Sequence, residues 1–173
     1  MNASPGLRRL TLTAHVVSSV GWLGAIVAFL GLAVTGLVSD DAELVRGVYL
    51  VAEPITWFVI IPFAITSLLT GLVQSVVTTW GLVRHYWVLF KLVLTVVAVV
   101  VLLLYTQTVG SLADRAEVTT ASLNHLRAPT FVVHSSAALL LLLAATVLAV
   151  YKPPGRTPYG WRKQQDTPSS SGS

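Results

Sequence analysis

Four stretches of this chain contain no Asp, Glu, Lys or Arg: Leu10 to Ser39, Pro54 to Val83, Leu92 to Ala113, and Ala128 to Tyr151. At about 1.5 Å per helical residue, each is long enough to cross a hydrocarbon core of roughly 30 Å. Lipid offers no hydrogen-bond partners, so the backbone of each run must satisfy itself, and a helix does this within one segment. Charged residues make up only 10% of the 173 positions, against about 25% in a soluble domain. Such a chain cannot cover a water-facing surface. The expected fold is all-α, a four-helix transmembrane bundle with antiparallel neighbours joined by short loops.

The runs divide the chain. Residues 1–9 form a polar head closed by Arg8-Arg9, and 10–151 the transmembrane domain, with helices expected at about 10–38, 43–79, 86–109 and 128–151. The first run is too long for a signal-peptide core and lacks a small-residue cleavage site, which predicts a retained helix. Asp40 followed by Glu43 has capping-box spacing and predicts the start of the second helix, with a break near Pro54. Lys152-Pro153-Pro154-Gly155-Arg156 stops the fourth, and 152–173 reads as a disordered tail rich in Pro, Ser and Gly. Arg8, Arg9, Arg84, Lys152, Arg156, Arg162 and Lys163 fall on one side of the membrane; Arg46, Arg115 and Arg127 fall on the other. The positive-inside rule then places both termini in the cytoplasm of a bacterial plasma membrane. The net charge of +4 reads as topology and lipid contact. No basic helix or zinc module points to nucleic acid.

Cysteine is absent and Met1 is the only methionine, which removes thiolate chemistry, cysteine-held clusters and covalent haem, and argues against a copper(I) relay. Haem or a metal would have to draw on the four histidines. An inner polar group comprises His15, with Ser18, Ser19 and Trp22 on its helical face, together with Arg84, His85 and Lys91. It reads either as a haem b or porphyrin site, with His15 on iron and the cations on propionates, or as an interfacial belt without a ligand. Lys91 sits about 7 Å into its helix and must snorkel or find a partner. An outer group holds Glu53, Trp57, His125 and His134. Glu53 with His134 could relay protons or bind a divalent ion; alternatively Glu53 rests at the interface and His134 bonds a neighbouring helix. His15 and His134 fall roughly 15–20 Å apart along the membrane normal, too far to share one iron.

Gly21, Gly24 and Ala28, with Ala25 and Gly31, give the first helix a small-residue surface of the kind that lets membrane helices approach closely, in a homo-oligomer or against another membrane protein. Ser67, Gly71, Gln74, Ser75 and Thr78 fall on one face of the second and should turn inward from lipid, to pack or to line a path. No phosphate loop, H-E-x-x-H or G-x-S-x-G occurs. Three roles remain in view: non-catalytic association within the lipid bilayer, haem-binding redox chemistry at His15, and transport along the polar stripe.

Two segments also resemble known motifs. His15-Val-Val-Ser-Ser-Val-Gly-Trp22-Leu-Gly24 is similar to a first-helix pattern of histidine followed by tryptophan–glycine, and Trp87-Val-Leu-Phe-Lys91 to a later helix start with tryptophan ahead of lysine. Both occur in small bacterial membrane proteins related to the HemJ-type protoporphyrinogen oxidases and the copper-resistance-D membrane domain. Over roughly residues 8–160 the chain resembles an uncharacterised bacterial family of four-helix integral membrane proteins, a domain of unknown function. The HemJ resemblance implies b-type haem, with His15 as ligand and Lys91 pairing a propionate or the substrate.

Overall fold

A computed structural model describes residues 4–77, 86–118 and 127–151. All regular structure in them is helical: α1 Pro5–Val38, α2 Ala42–Ile55, a π-helical segment Thr56–Ile60, α3 Ile61–Val77, α4 Tyr86–Glu117 and α5 Thr130–Tyr151. With α2, the π segment and α3 forming one continuous span, four spans are long and apolar enough to cross a membrane. The protein is a multi-pass helical membrane protein.

The four spans close into a ring. α1 packs on α2, α3 and α5, and α4 packs on α2, α3 and α5, while the diagonal pairs, α1 with α4 and α5 with α2–α3, meet through side chains and not through close backbone approach. Each span therefore touches its two sequence neighbours, the first and last completing the ring. We call the end holding the α1 N-terminus proximal and the end holding the 39–41 turn distal.

Local chemistry fixes the helix starts. α1 begins at Pro5, five residues ahead of its expected start, so Arg8 and Arg9 lie within the helix; a missing N–H costs nothing at this position, and Ser4 Oγ caps it by accepting from the Leu7 amide at 3.3 Å. For α2 the capping residue is Asp41, one position later than the Asp40–Glu43 spacing predicts. Asp41 Oδ1 accepts from the amides of Glu43 at 2.9 Å and Leu44 at 3.2 Å. Asp40 is engaged elsewhere, in an ion pair with Arg127, whose Nη2 also donates to the Ser39 carbonyl at 2.6 Å.

Near Pro54 the regular α-helix gives way to a π segment, with the chain remaining helical throughout. The helix continues through Pro54, the Thr56 hydroxyl donating to Ala52 O at 2.7 Å and the Thr56 amide reaching both Ala52 O and Glu53 O. The irregularity comes next, in the π segment, where Ile61 N–H bonds Thr56 O five residues back. Pro62 follows directly. Its ring would crowd the Phe58 carbonyl in a regular α-helix, and a widened turn relieves that clash. The third helix also outruns its expected end near Val109, continuing to Glu117 because Leu112, Ala113 and Ala116 bury a face of its polar last turns.

Spans of 34, 35 and 32 residues measure about 50 Å at 1.5 Å per residue, well beyond a core of roughly 30 Å. The excess gathers distally into a layer with its own buried centre, including Gly36, Val45, Val48, Tyr49 and Leu112. Phe131 lies below it, 1% exposed, with ring centroids of Tyr49, Phe29 and Tyr105 at 5.1, 5.4 and 6.1 Å. Along the middle of α4 the balance reverses: Val93, Val97, Val100 and Leu104 are exposed, as lipid-facing side chains should be. Tyr49 also ties α2 to the α5 N-terminus, its hydroxyl accepting from the Ala128 amide at 3.0 Å. Tyr49→Phe is expected to lower stability by about 1 kcal/mol with the fold unchanged, read from the shift in a denaturant unfolding curve.

Candidate functional site

The polar residues of the proximal half converge on His15. From α1, its Nδ1 lies 3.1 Å from the Ser67 carbonyl oxygen and 3.2 Å from Thr70 Oγ1 on α3. A carbonyl only accepts, so Nδ1 carries the proton. The Thr70 hydroxyl donates to Thr66 O at 2.6 Å, which leaves its oxygen to accept as well. In the neutral imidazole, Nε2 is then the lone-pair nitrogen. Lys91 Nζ, from α4, sits 3.2 Å from it. The contact joins three spans in one chain of hydrogen bonds: Ser67 carbonyl, imidazole, ammonium.

Small and polar neighbours make room for this arrangement. A Cβ placed on Gly71 would lie 3.0 Å from His15 Cε1, so glycine there lets the ring lie flat against α3. Ser19 Oγ and Ser67 Oγ meet at 2.8 Å, one turn further along α1, and Thr95 Oγ1 holds the Lys91 carbonyl at 2.9 Å. Gly71→Leu is expected to push the imidazole off Lys91, read from the shift of the His15 ring signals by NMR, with the helical content preserved.

His15 and Lys91 border a cavity of about 450 Å³, whose wall also includes Gln74, Ser75, Trp87 and Leu12. The described wall contains no Asp or Glu. Lys91 therefore faces an imidazole and a cavity, with no carboxylate counter-charge among the described residues. Ser67, Gly71, Gln74 and Ser75 all line this same cavity, so the stripe expected to pack or to line a path meets His15 and Lys91 in one place. Thr78, Arg84, His85 and His125, and the tail 152–173, lie outside the described residues.

Trp22 does not join this site. Seven residues beyond His15, it is buried against a second, distal cavity of about 200 Å³, shared with His134, Tyr105 and Phe29. His134 Nδ1 is 3.0 Å from Thr130 O, and its ring stacks on Tyr105 at 3.9 Å. Glu53 lies instead beside Gly110, its Oε1 3.6 Å from where a Cβ there would stand. The expected Glu53–His134 pair is thus not formed: no hydrogen bond or ion pair links the two, and no group of three His, Asp or Glu gathers among the described residues. His134 bonds within its own helix and Glu53 stays half-buried between α2 and α4.

The small-residue surface of α1 divides. Gly21 is in tight contact with α3, a Cβ there meeting Phe63 at 2.7 Å, while Gly24 has nothing within 4 Å and Ala28 is exposed. Gly21 and the partly buried Ala25 serve packing within the chain. Thr70 and Thr95 were not singled out from sequence; each lies three or four residues from a singled-out neighbour, Ser67 or Lys91, which is the helical signal for a shared face. Comparison with protein-family models, with curated proteins and with solved structures finds no match.

Proposed function

We propose that this protein binds an anionic amphiphile within the membrane, its charged group on Lys91 and its apolar body along the proximal cavity. One observation carries this reading: an ammonium group turned onto an imidazole, at a cavity whose described wall holds no carboxylate. A cation at low dielectric without a counter-charge is costly, and an anionic ligand group offsets that cost through charge-assisted hydrogen bonds. Leu12, Val16 and Leu92 supply apolar contact and Gln74 and Ser75 polar contact around it. The ligand this calls for has a large apolar part and a carboxylate or phosphate at one end, as in a tetrapyrrole or an anionic lipid. The role is binding, and no bond-making step is assigned to it.

A second reading, haem b with His15 on iron, has its own support. The Ser67 carbonyl accepts from Nδ1–H and so leaves the lone pair on Nε2, the arrangement found behind metal-ligating histidines. Ligation requires Lys91 to leave Nε2 and turn to a propionate. Trp22, on the distal cavity, takes no part in it.

Titration of the purified full chain in phosphatidylcholine nanodiscs with protoporphyrin IX and with haem separates these readings. Saturable binding of both with similar affinity supports the amphiphile site. Haem binding at least tenfold tighter, with a Soret band that shifts on reduction and depends on His15, supports ligation. Absence of saturable binding of either, together with no enrichment of phosphatidylglycerol over phosphatidylcholine, overturns the proposal.

We propose also that both termini face the cytoplasm of a bacterial plasma membrane, on the strength of the Lys and Arg distribution. The chain has no cysteine, so one introduced thiol reports unambiguously. Glu43→Cys in intact cells should react with an impermeant maleimide and Ser4→Cys should not; the reverse pattern would invert the topology.

A further inference from the structure

The distal cavity differs from the proximal one in charge and in where it opens. No Lys, Arg, Asp or Glu lines it among the described residues, so neither an anion nor a cation finds a partner there. Phe29, Thr56 and Ile60 are its buried back wall, whereas Val101, His134 and Ala137 line it and are also exposed. Its mouth therefore lies between α4 and α5, towards lipid. The hydroxyl groups are already engaged: Thr56 donates to Ala52 O at 2.7 Å, Ser135 donates to Phe131 O at 2.5 Å, and Tyr105 meets Thr130 Oγ1 at 3.1 Å.

One acceptor is left at that mouth. The Thr130 carbonyl, 3.0 Å from His134 Nδ1, can only accept, so Nδ1 carries the proton and Nε2 of the neutral ring holds the lone pair. Nε2 has no hydrogen-bond partner among the described residues. One face of the ring stacks on Tyr105, and its Nδ1 edge is turned to the backbone of α5. The exposed surface of His134 is thus its other face and the far edge, which carries Nε2. We infer that the distal cavity takes an uncharged, hydroxylated aromatic lipophile of the phenol or hydroquinone class, its O–H donating to His134 Nε2 and its flat body entering among the rings of Trp22, Phe29 and Tyr105. Phospholipid acyl chains and esters have no donor to offer Nε2. A water needs two to four polar partners, and Val101 and Ala137 beside the mouth supply none. A quinone lacks the O–H, so the site should favour the reduced, hydroxylated form.

The probe is radiolabelled 2-naphthol, bound to the purified full chain in phosphatidylcholine nanodiscs and measured against empty discs. Saturable 1:1 binding is expected, with 2-methoxynaphthalene, the same rings without the O–H, competing roughly tenfold less well. His134→Phe keeps a ring against Tyr105 and removes the acceptor; it should weaken 2-naphthol roughly tenfold and leave the methyl ether unchanged. Ala138→Trp should fill the cavity and abolish binding of both, and thermal unfolding of the two variants checks that they fold. Binding no greater than to empty discs, equal competition by 2-methoxynaphthalene, or wild-type affinity for 2-naphthol in either folded variant would each overturn the inference. The comparison of the two compounds on the wild-type chain decides the matter even where a variant fails to fold. The probe differs from the proximal ligands in carrying no charge, so its failure is independent of theirs.

Discussion

Lys91→Met should lose binding of protoporphyrin IX by about 2 kcal/mol or more, roughly thirtyfold in affinity, without loss of the helical fold. Methionine keeps the length and the apolar stem of lysine and removes only the charge. The wild-type ammonium has the His15 imidazole 3.2 Å away and no carboxylate among the described residues of its cavity. An anionic ligand therefore meets a cation with little to compete for it. His15→Ala gives the complementary test. It leaves Lys91 in place, so metal-free porphyrin should bind within a few-fold of wild type, whereas any iron-dependent spectrum should vanish. Equal binding of protoporphyrin IX by Lys91→Met and wild type would refute the charge-pairing role, and binding lost only in His15→Ala would move the site's chemistry from the ammonium to the imidazole.

Phe131→Ala should be the most damaging apolar truncation, costing roughly 3–5 kcal/mol. The ring is 1% exposed and lies among Phe29, Tyr49 and Tyr105, from three different helices. Its removal empties the point where α1, α2, α4 and α5 meet. Leu104→Ala provides the contrast, because Leu104 is 68% exposed on the lipid-facing side of α4. Lipid tails are as apolar as the side chain, so little contact is lost there. Denaturant unfolding in mixed micelles measures both. A Leu104→Ala effect as large as that of Phe131→Ala would mean that α4 faces a protein surface where the structure leaves it bare.

Much of the fold was legible because lipid constrains sequence so strongly. Runs free of charge mark the helices and Asp40-Asp41 the first turn between them, although the first helix starts at Pro5, ahead of Arg8-Arg9. The misreadings fall where tertiary contacts outweigh local signals. Asp40 and Asp41 are equivalent by capping preference, and the choice went to Asp41 because Arg127, far along the chain, engages Asp40. The end of α4 was placed near Val109 because Gly110 and the charges after it resemble a loop; packing of Leu112, Ala113 and Ala116 against the other helices keeps it helical. The break expected near Pro54 takes the form of a π-helical turn, Thr56–Ile60, lying between Pro54 and Pro62.

The same division holds for the site. Sequence by itself determined a membrane protein of four apolar helices and singled out His15, Lys91 and the Ser67–Ser75 face, because a charge or imidazole within an apolar run is costly and needs a reason. It could not pair them. Periodicity gives the face on which a residue lies along its own helix, but not the rotation of that helix against its neighbours. Only the tertiary structure placed Lys91 of α4 on His15 of α1, with Gly71 of α3 behind the ring. It also sent Trp22 to a different cavity from the histidine seven residues before it and kept Glu53 apart from His134. Burial cost along each helix is a local property and is written in composition. Contact between helices depends on how four surfaces interlock, and that was decided by packing.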